Sequence, residues 1–123
     1  MLTFRSLTDV EQARLTPKLR RAVIRALRSL LDAYGENYDP DDCGFVVLLN
    51  QNTTDADALE LMGRPWAEAR LEGVTFDKET NCFLTVWLAN NQYGLTFLVP
   101  NEGWLDPAFR ALLLEEMGVA DAP

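Results

Sequence analysis

Residues 71–99 read LEGVTFDKETNCFLTVWLANNQYGLTFLV, and this stretch decides the fold. Three runs in it, 71–76, 82–88 and 94–99, are rich in β-branched, aromatic and aliphatic residues. Two polar segments, DKETN and ANNQY, separate them. Branched and aromatic side chains fit a pleated surface, whereas Asn and Asp tolerate turn geometry, so the runs predict strands and the polar segments turns. Asn90 and Asn91 suit the positive φ of a tight hairpin. Pro100 lacks the N–H that would continue a ladder and ends the last strand.

Alternation assigns the side chains to faces. Along 82–88, Cys82, Leu84, Val86 and Leu88 point one way and Phe83, Thr85 and Trp87 the other. Along 94–99, Leu95, Phe97 and Val99 oppose Thr96 and Leu98. The expectation is one strongly apolar face and one mixed face that carries Phe83 and Trp87. Either the C-terminal helix covers the mixed face, through Phe109, Leu112, Leu113 and Met117, or a partner does. On the second reading Phe83 and Trp87 are partner-binding residues, since Trp is enriched at energetic centres of interfaces. Trp66 and Trp104, in connecting segments, read as lids over the ends of the sheet.

Working outward, GFVVLL (44–49) predicts a buried strand. The segment ADALELM predicts a short helix, capped by Thr54 or Asp55 and stopped by Gly63 and Pro65. Upstream, Thr16 suits an N-cap, Pro17 the first helical position and Gly35 the stop. The helix between them is 18 residues and about 27 Å long, with Leu19, Val23, Leu27, Leu30, Leu31 and Tyr34 on its core face. A shorter helical turn is predicted over 8–15. Asp106 and Pro107 open a final helix, PAFRALLLEEM, which Gly118 ends. The order is α-β-α-β-β-β-α. It predicts an α+β fold: a single mainly antiparallel sheet of about four strands with the two longer helices packed on it. All 123 residues fit one domain, with a frayed tail at about 119–123.

Charge is distributed unevenly. Residues 1–31 hold seven basic and two acidic residues, net +5, while the remaining 92 hold four basic and seventeen acidic, net −13, within an overall −8. Arg14, Lys18, Arg21, Arg25 and Arg28 recur at spacings of three and four, which places them on one line opposite the core face of the long helix. Lys18, Arg20 and Arg21 sit near the positive end of the helix dipole and Asp32 near its negative end. Both placements oppose the dipole, at about 0.3–1 kcal/mol each. Residues that break a local rule without local gain point to function. The competing reading is a solvated face, or one neutralised by the chain's own carboxylates.

Other motifs narrow the chemistry. Histidine is absent, which removes the commonest general base, metal ligand and nucleophile partner. Cys43 and Cys82 read as buried thiols without an activating cation. Asp39, Asp41 and Asp42 resemble the start of a calcium loop, but position twelve is Asn50 rather than Glu. They are weak metal candidates beside the simpler reading of an acidic turn. NQNTTD (50–55) follows a strand and precedes a helix, where anions often bind, yet it lacks the glycine and lysine of a phosphate loop. No run approaches the length of a membrane span, and the N-terminal segment lacks a secretory pattern, so the expected location is the cytoplasm.

These features predict a non-catalytic protein-interaction module, such as an adaptor, a regulator or a small inhibitor. The basic helix face would meet a protein partner or a second copy of the chain, with no cofactor. A neutralising protein of the antitoxin or immunity type is a sub-case, because acidic surfaces steer binding to basic partners. A carboxylate- or metal-dependent enzyme or ligand-binding domain is the second alternative. Nucleic-acid binding through the arginine line is the third, disfavoured because the acidic remainder repels phosphate.

Overall fold

The computed structural model describes residues 1–89, 93–102 and 106–118, with the backbone alone at 88, 89 and 93. The proposed Asn90–Asn91 turn, Trp104 and the 119–123 tail lie outside the described residues. Five strands among the described residues form one sheet: β1 (Leu2–Phe4), β2 (Val46–Leu48), β3 (Leu71–Asp77), β4 (Cys82–Ala89) and β5 (Tyr93–Pro100). Five helices accompany them: α1 (Leu7–Gln12), α2 (Pro17–Tyr34), α3 (Pro40–Cys43), α4 (Asp55–Met62) and α5 (Pro107–Met117). Single 3₁₀ turns occupy Gly35–Asn37 and Trp66–Glu68.

The sheet order is β1-β2-β5-β4-β3. The β1–β2, β5–β4 and β4–β3 pairs are antiparallel, but β2 and β5 run parallel. The fold is therefore α+β with a mixed five-stranded sheet, in place of the mainly antiparallel sheet of about four strands expected from the runs alone. The parallel pair arises because the chain leaves β2, builds α4, β3 and β4, and returns through the sheet's centre as β5. A parallel neighbour requires such a long crossover. The added strand, β1, is three residues long with one fully buried side chain, Phe4, too short to show a period.

Helix α2 forms where the local signals place it. Thr16 Oγ1 accepts from the Leu19 N–H at 3.3 Å, Pro17 fills the first position, and the Gly35 N–H closes the helix on the Leu31 carbonyl. Gly35 takes φ +57°, a conformation that suits glycine. At the sheet's edge, Gly73 (φ +68°) carries a bulge in β3 between Glu72 and Val74. A bulge bends an edge strand and blunts pairing with other chains.

Register re-sorts the faces. Phe83 lies opposite Val99, Thr85 opposite Phe97 and Trp87 opposite Leu95. The face carrying Phe83 and Trp87 is thus also the face of Leu95, Phe97 and Val99, and it is the more deeply buried one rather than the mixed one. Helices α4 and α5 cover it, with Trp66, Phe97 and Phe109 meeting at its centre. The opposite face bears Val46, Leu48 and Leu98 and packs on Val23 and Leu27 of α2, with Phe4 and Val10. The two longer helices therefore lie on opposite faces of the sheet.

Candidate functional site

Helix α2 turns Ala22, Val23, Ala26 and Leu27 into the core. At 100° per residue, Lys18, Arg21, Arg25 and Arg28 fall on the far side, and all four are exposed. Arg14 departs from the expected line. Helix α1 ends at Gln12, and residues 13–16 form an extended connection, so Arg14 is exposed but off the helix. The same break fixes the start of the α2 dipole at Thr16. Lys18 therefore does lie at its positive end, and no acid occupies the first turn.

Two basic residues of the segment have internal roles. Arg20 donates from Nη1 to the Val10 carbonyl at 2.9 Å and from Nη2 to the Ala13 carbonyl at 3.1 Å. A guanidinium there ties the start of α2 to carbonyls at the end of α1, adding to the Ala13 N–H that Val10 already accepts. Arg25 spans to the turn between β3 and β4, with Nη1 2.8 Å from Asp77 Oδ2 and Nη2 3.1 Å from Glu79 Oε2. Asp77 also accepts from the Glu79 N–H and the Thr80 hydroxyl, each at 3.0 Å. Burial works to raise the Asp77 pKa. The Glu79 N–H, the Thr80 hydroxyl, Arg25 and the Thr80 N–H outweigh it and hold the carboxyl below its ordinary value.

Lys18, Arg21, Arg28 and Arg14 form no ion pair among the described residues. Arg21 and Arg28 border a shallow depression with Ile24, Ser29 and Asp32. These cations lie on an acidic molecule of net charge −8.

Phe83 and Trp87 stand apart from it. Each is 4% exposed and belongs to the core under α4 and α5, on the face of the sheet away from α2. The reading in which the C-terminal helix covers them holds, and they offer no surface to a partner in this fold. Trp87 Nε1 is buried without a hydrogen-bond partner among the described residues. Trp66 is a core residue rather than a lid, with Nε1 donating to the Thr54 carbonyl at 3.0 Å.

The remaining candidates do not assemble. Asp39 caps α3 by accepting from the Asp41 N–H at 3.0 Å, while Asp41 and Asp42, next along a single turn, are exposed. Among the described residues no three His, Cys, Asp or Glu side chains converge well enough to hold a metal ion. In the 50–55 loop, Thr53 Oγ1 accepts from the Asn50 N–H and Asn50 Oδ1 from the Asn52 N–H, both at 2.9 Å. Those groups satisfy one another rather than converge on a ligand. Cys43 and Cys82 are both free thiols; Cys43 is half-buried and Cys82 buried. Burial pushes the Cys82 pKa up, outweighing its side-chain bond with Thr80, which lowers it, and Asp77 adds a smaller rise. A thiol so held is a poor nucleophile. No helix among the described residues is long and apolar enough to cross a membrane.

One feature escaped the sequence reading. Between α2 and the β3–β5 strands runs a groove of about 250 Å³, with Ala22, Ala26, Cys82, Leu84 and Leu98 among its walls and Arg25 and Asp77 at its mouth. Small residues at 22 and 26 are its only signal in sequence, and they read equally well as close helix packing. No family model matches the chain, and neither a curated protein nor a solved structure is significantly similar to it.

Proposed function

We propose that the chain is a non-catalytic protein-interaction module that docks an acidic protein surface on the outward side of α2. The contact residues are Lys18, Arg21 and Arg28, with Arg14 in the connection that precedes them; Arg25 is paired with Asp77 and Glu79. The observation that carries this reading is that these cations stay exposed and unpaired among the described residues of a molecule with a net charge of −8. Lys18 and Arg21 lie in the first turns of α2, where a cation opposes the dipole, so helix stability does not account for them.

An acidic protein fits this surface better than nucleic acid does. Phosphate approaching α2 would also meet the field of residues 32–123, net −13. The partner is a different protein or a second copy presenting its own acidic side.

Affinity capture from nuclease-treated host lysate tests the reading, comparing the native chain with Arg21→Glu/Arg28→Glu. Proteins retained by the native chain at low salt should be lost with the charge-reversed form. They should also weaken as ionic strength shortens the screening length to about 10 Å at 0.1 M. Identical retention by the two forms, or retention abolished by nuclease, overturns the proposal. Light scattering across the same salt range identifies a second copy as the partner.

A further inference from the structure

The groove beneath α2 is an opening in an otherwise packed layer. Helix α2 lies over β2 and β5, and Ala22 and Ala26, one turn apart, leave the space toward β4 unfilled. Leu98 and Cys82 at its base are buried, and Leu84 is half-buried. Protein interiors pack at crystal-like density, and a gap between helix and sheet forfeits dispersion contacts on both sides. A larger aliphatic residue at position 22 or 26 would close it.

We propose that this groove binds a small aliphatic carboxylate, with its chain between Ala22, Ala26, Leu84 and Leu98 and its carboxylate on Arg25. The inference goes beyond the docking surface, because Lys18, Arg21 and Arg28 line no part of this groove. Arg25 is the only cation that does among the described residues. Its planar fork matches carboxylate geometry and already holds two carboxylate oxygens there. The two present occupants are unequal. Asp77 keeps the Thr80 hydroxyl and the Glu79 N–H whatever Arg25 does. The Glu79 carboxylate is 77% exposed and meets only Arg25 among the described residues. A ligand carboxylate displaces Glu79 from Nη2 into water while Asp77 stays on Nη1. A cationic head group would face the guanidinium, and the Asp77 carboxylate beside it is already engaged by Arg25, the Thr80 hydroxyl and the Glu79 N–H. The volume lies just under the roughly 300–1,000 Å³ of drug-sized pockets, which limits the ligand to a short chain.

The test is an NMR titration of the whole ¹⁵N-labelled chain with octanoate, octanol and octylamine. Octanoate should shift the amide signals of Ala22, Ala26, Cys82 and Leu84 saturably, and octylamine should bind far more weakly. Arg25→Gln should weaken octanoate about tenfold, the loss of one charge-assisted contact, and leave octanol unchanged. Ala22→Leu should close the groove to both. Should Ala22→Leu disturb the fold, which its own spectrum would reveal, the shift map and Arg25→Gln decide the matter. Shifts that do not saturate or that scatter outside the groove overturn the proposal. So does octylamine binding as tightly as octanoate, or Arg25→Gln binding octanoate like the native chain.

Discussion

Arg25 and Asp77, 52 residues apart in the chain, meet at 2.8 Å and join the middle of α2 to the turn between β3 and β4. The pair removes one cation from the outward line of α2, stands at the mouth of the groove, and orders the turn that carries Glu79 and Thr80. Both partners reach solvent, with side-chain exposures of 57% and 33%, so the bridge positions groups more than it stabilises the fold.

Its acid dependence follows from the lowered Asp77 pKa. A carboxyl held below its ordinary value stabilises the fold above that value and loses the contribution as pH falls through the lowered one. A pH titration followed at the Asp77 carboxyl signal should therefore show a midpoint below 3.8. In Arg25→Gln the midpoint should rise toward the ordinary value but not reach it, since Thr80 and the Glu79 N–H remain. An unchanged midpoint would remove Arg25 from the account. Arg25→Gln itself should cost no more than about 1 kcal/mol in urea unfolding.

Lys18 offers a direct check on whether the basic face costs stability. It is exposed within the first turn of α2. Lys18→Glu should stabilise the fold by about 0.3–1 kcal/mol at low ionic strength, with the gain shrinking as salt is added. A loss of stability would mean that Lys18 serves the fold, which would weaken the functional reading of its neighbours.

The core beneath α5 should be far less forgiving. Phe109 is fully buried against Trp66. Phe109→Ala should destabilise by about 3–5 kcal/mol, a large part of the roughly 5–15 kcal/mol expected of a whole domain. Chemical denaturation monitored by tryptophan fluorescence measures it.

Trp66 and Trp87 are both buried but differ in their indole N–H groups. Trp66 donates to Thr54, whereas Trp87 has no acceptor among the described residues. Trp66→Phe gives up a made hydrogen bond, while Trp87→Phe removes an N–H that has no partner among the described residues. Trp66→Phe should therefore be the more destabilising by about 1 kcal/mol or more. Equal losses in parallel urea titrations would refute this.

The thiols should separate in reactivity. Cys82, buried and with a raised pKa, should resist a disulfide reagent until the chain unfolds, while half-buried Cys43 should react in the native state. One thiol titrated in buffer and two in denaturant is the expected count; two in buffer would place Cys82 nearer to solvent than the fold has it.

Most of the individual elements were legible because their signals are local. The hydroxyl of Thr16, the ring of Pro17 and the φ of Gly35 act within a few residues, and they bound α2 at 17 and 34 as expected. Strands β3, β4 and β5 likewise follow from their composition. Strand β1 and the one-turn helix α3 escaped because three or four residues carry too little periodicity. The candidate surface was half legible. Spacing put Lys18, Arg21, Arg25 and Arg28 on one side of a helix, but nothing near Arg25 announces Asp77 or Glu79, and nothing near Arg14 announces that α1 stops before it.

By itself, then, the sequence determined where the longer helices and strands lie, which residues alternate, and that positive charge gathers on one helix of an acidic molecule. Those properties depend on sterics, capping and repeats over a turn or two. Tertiary structure alone decided that β5 returns parallel to β2, that Phe83 and Trp87 face inward beneath α5, that Arg25 is claimed by a distant turn, and that Ala22 and Ala26 border a groove. Each of these depends on contacts between segments many residues apart, whose register is chosen by the burial of the whole sheet rather than by any neighbouring residue.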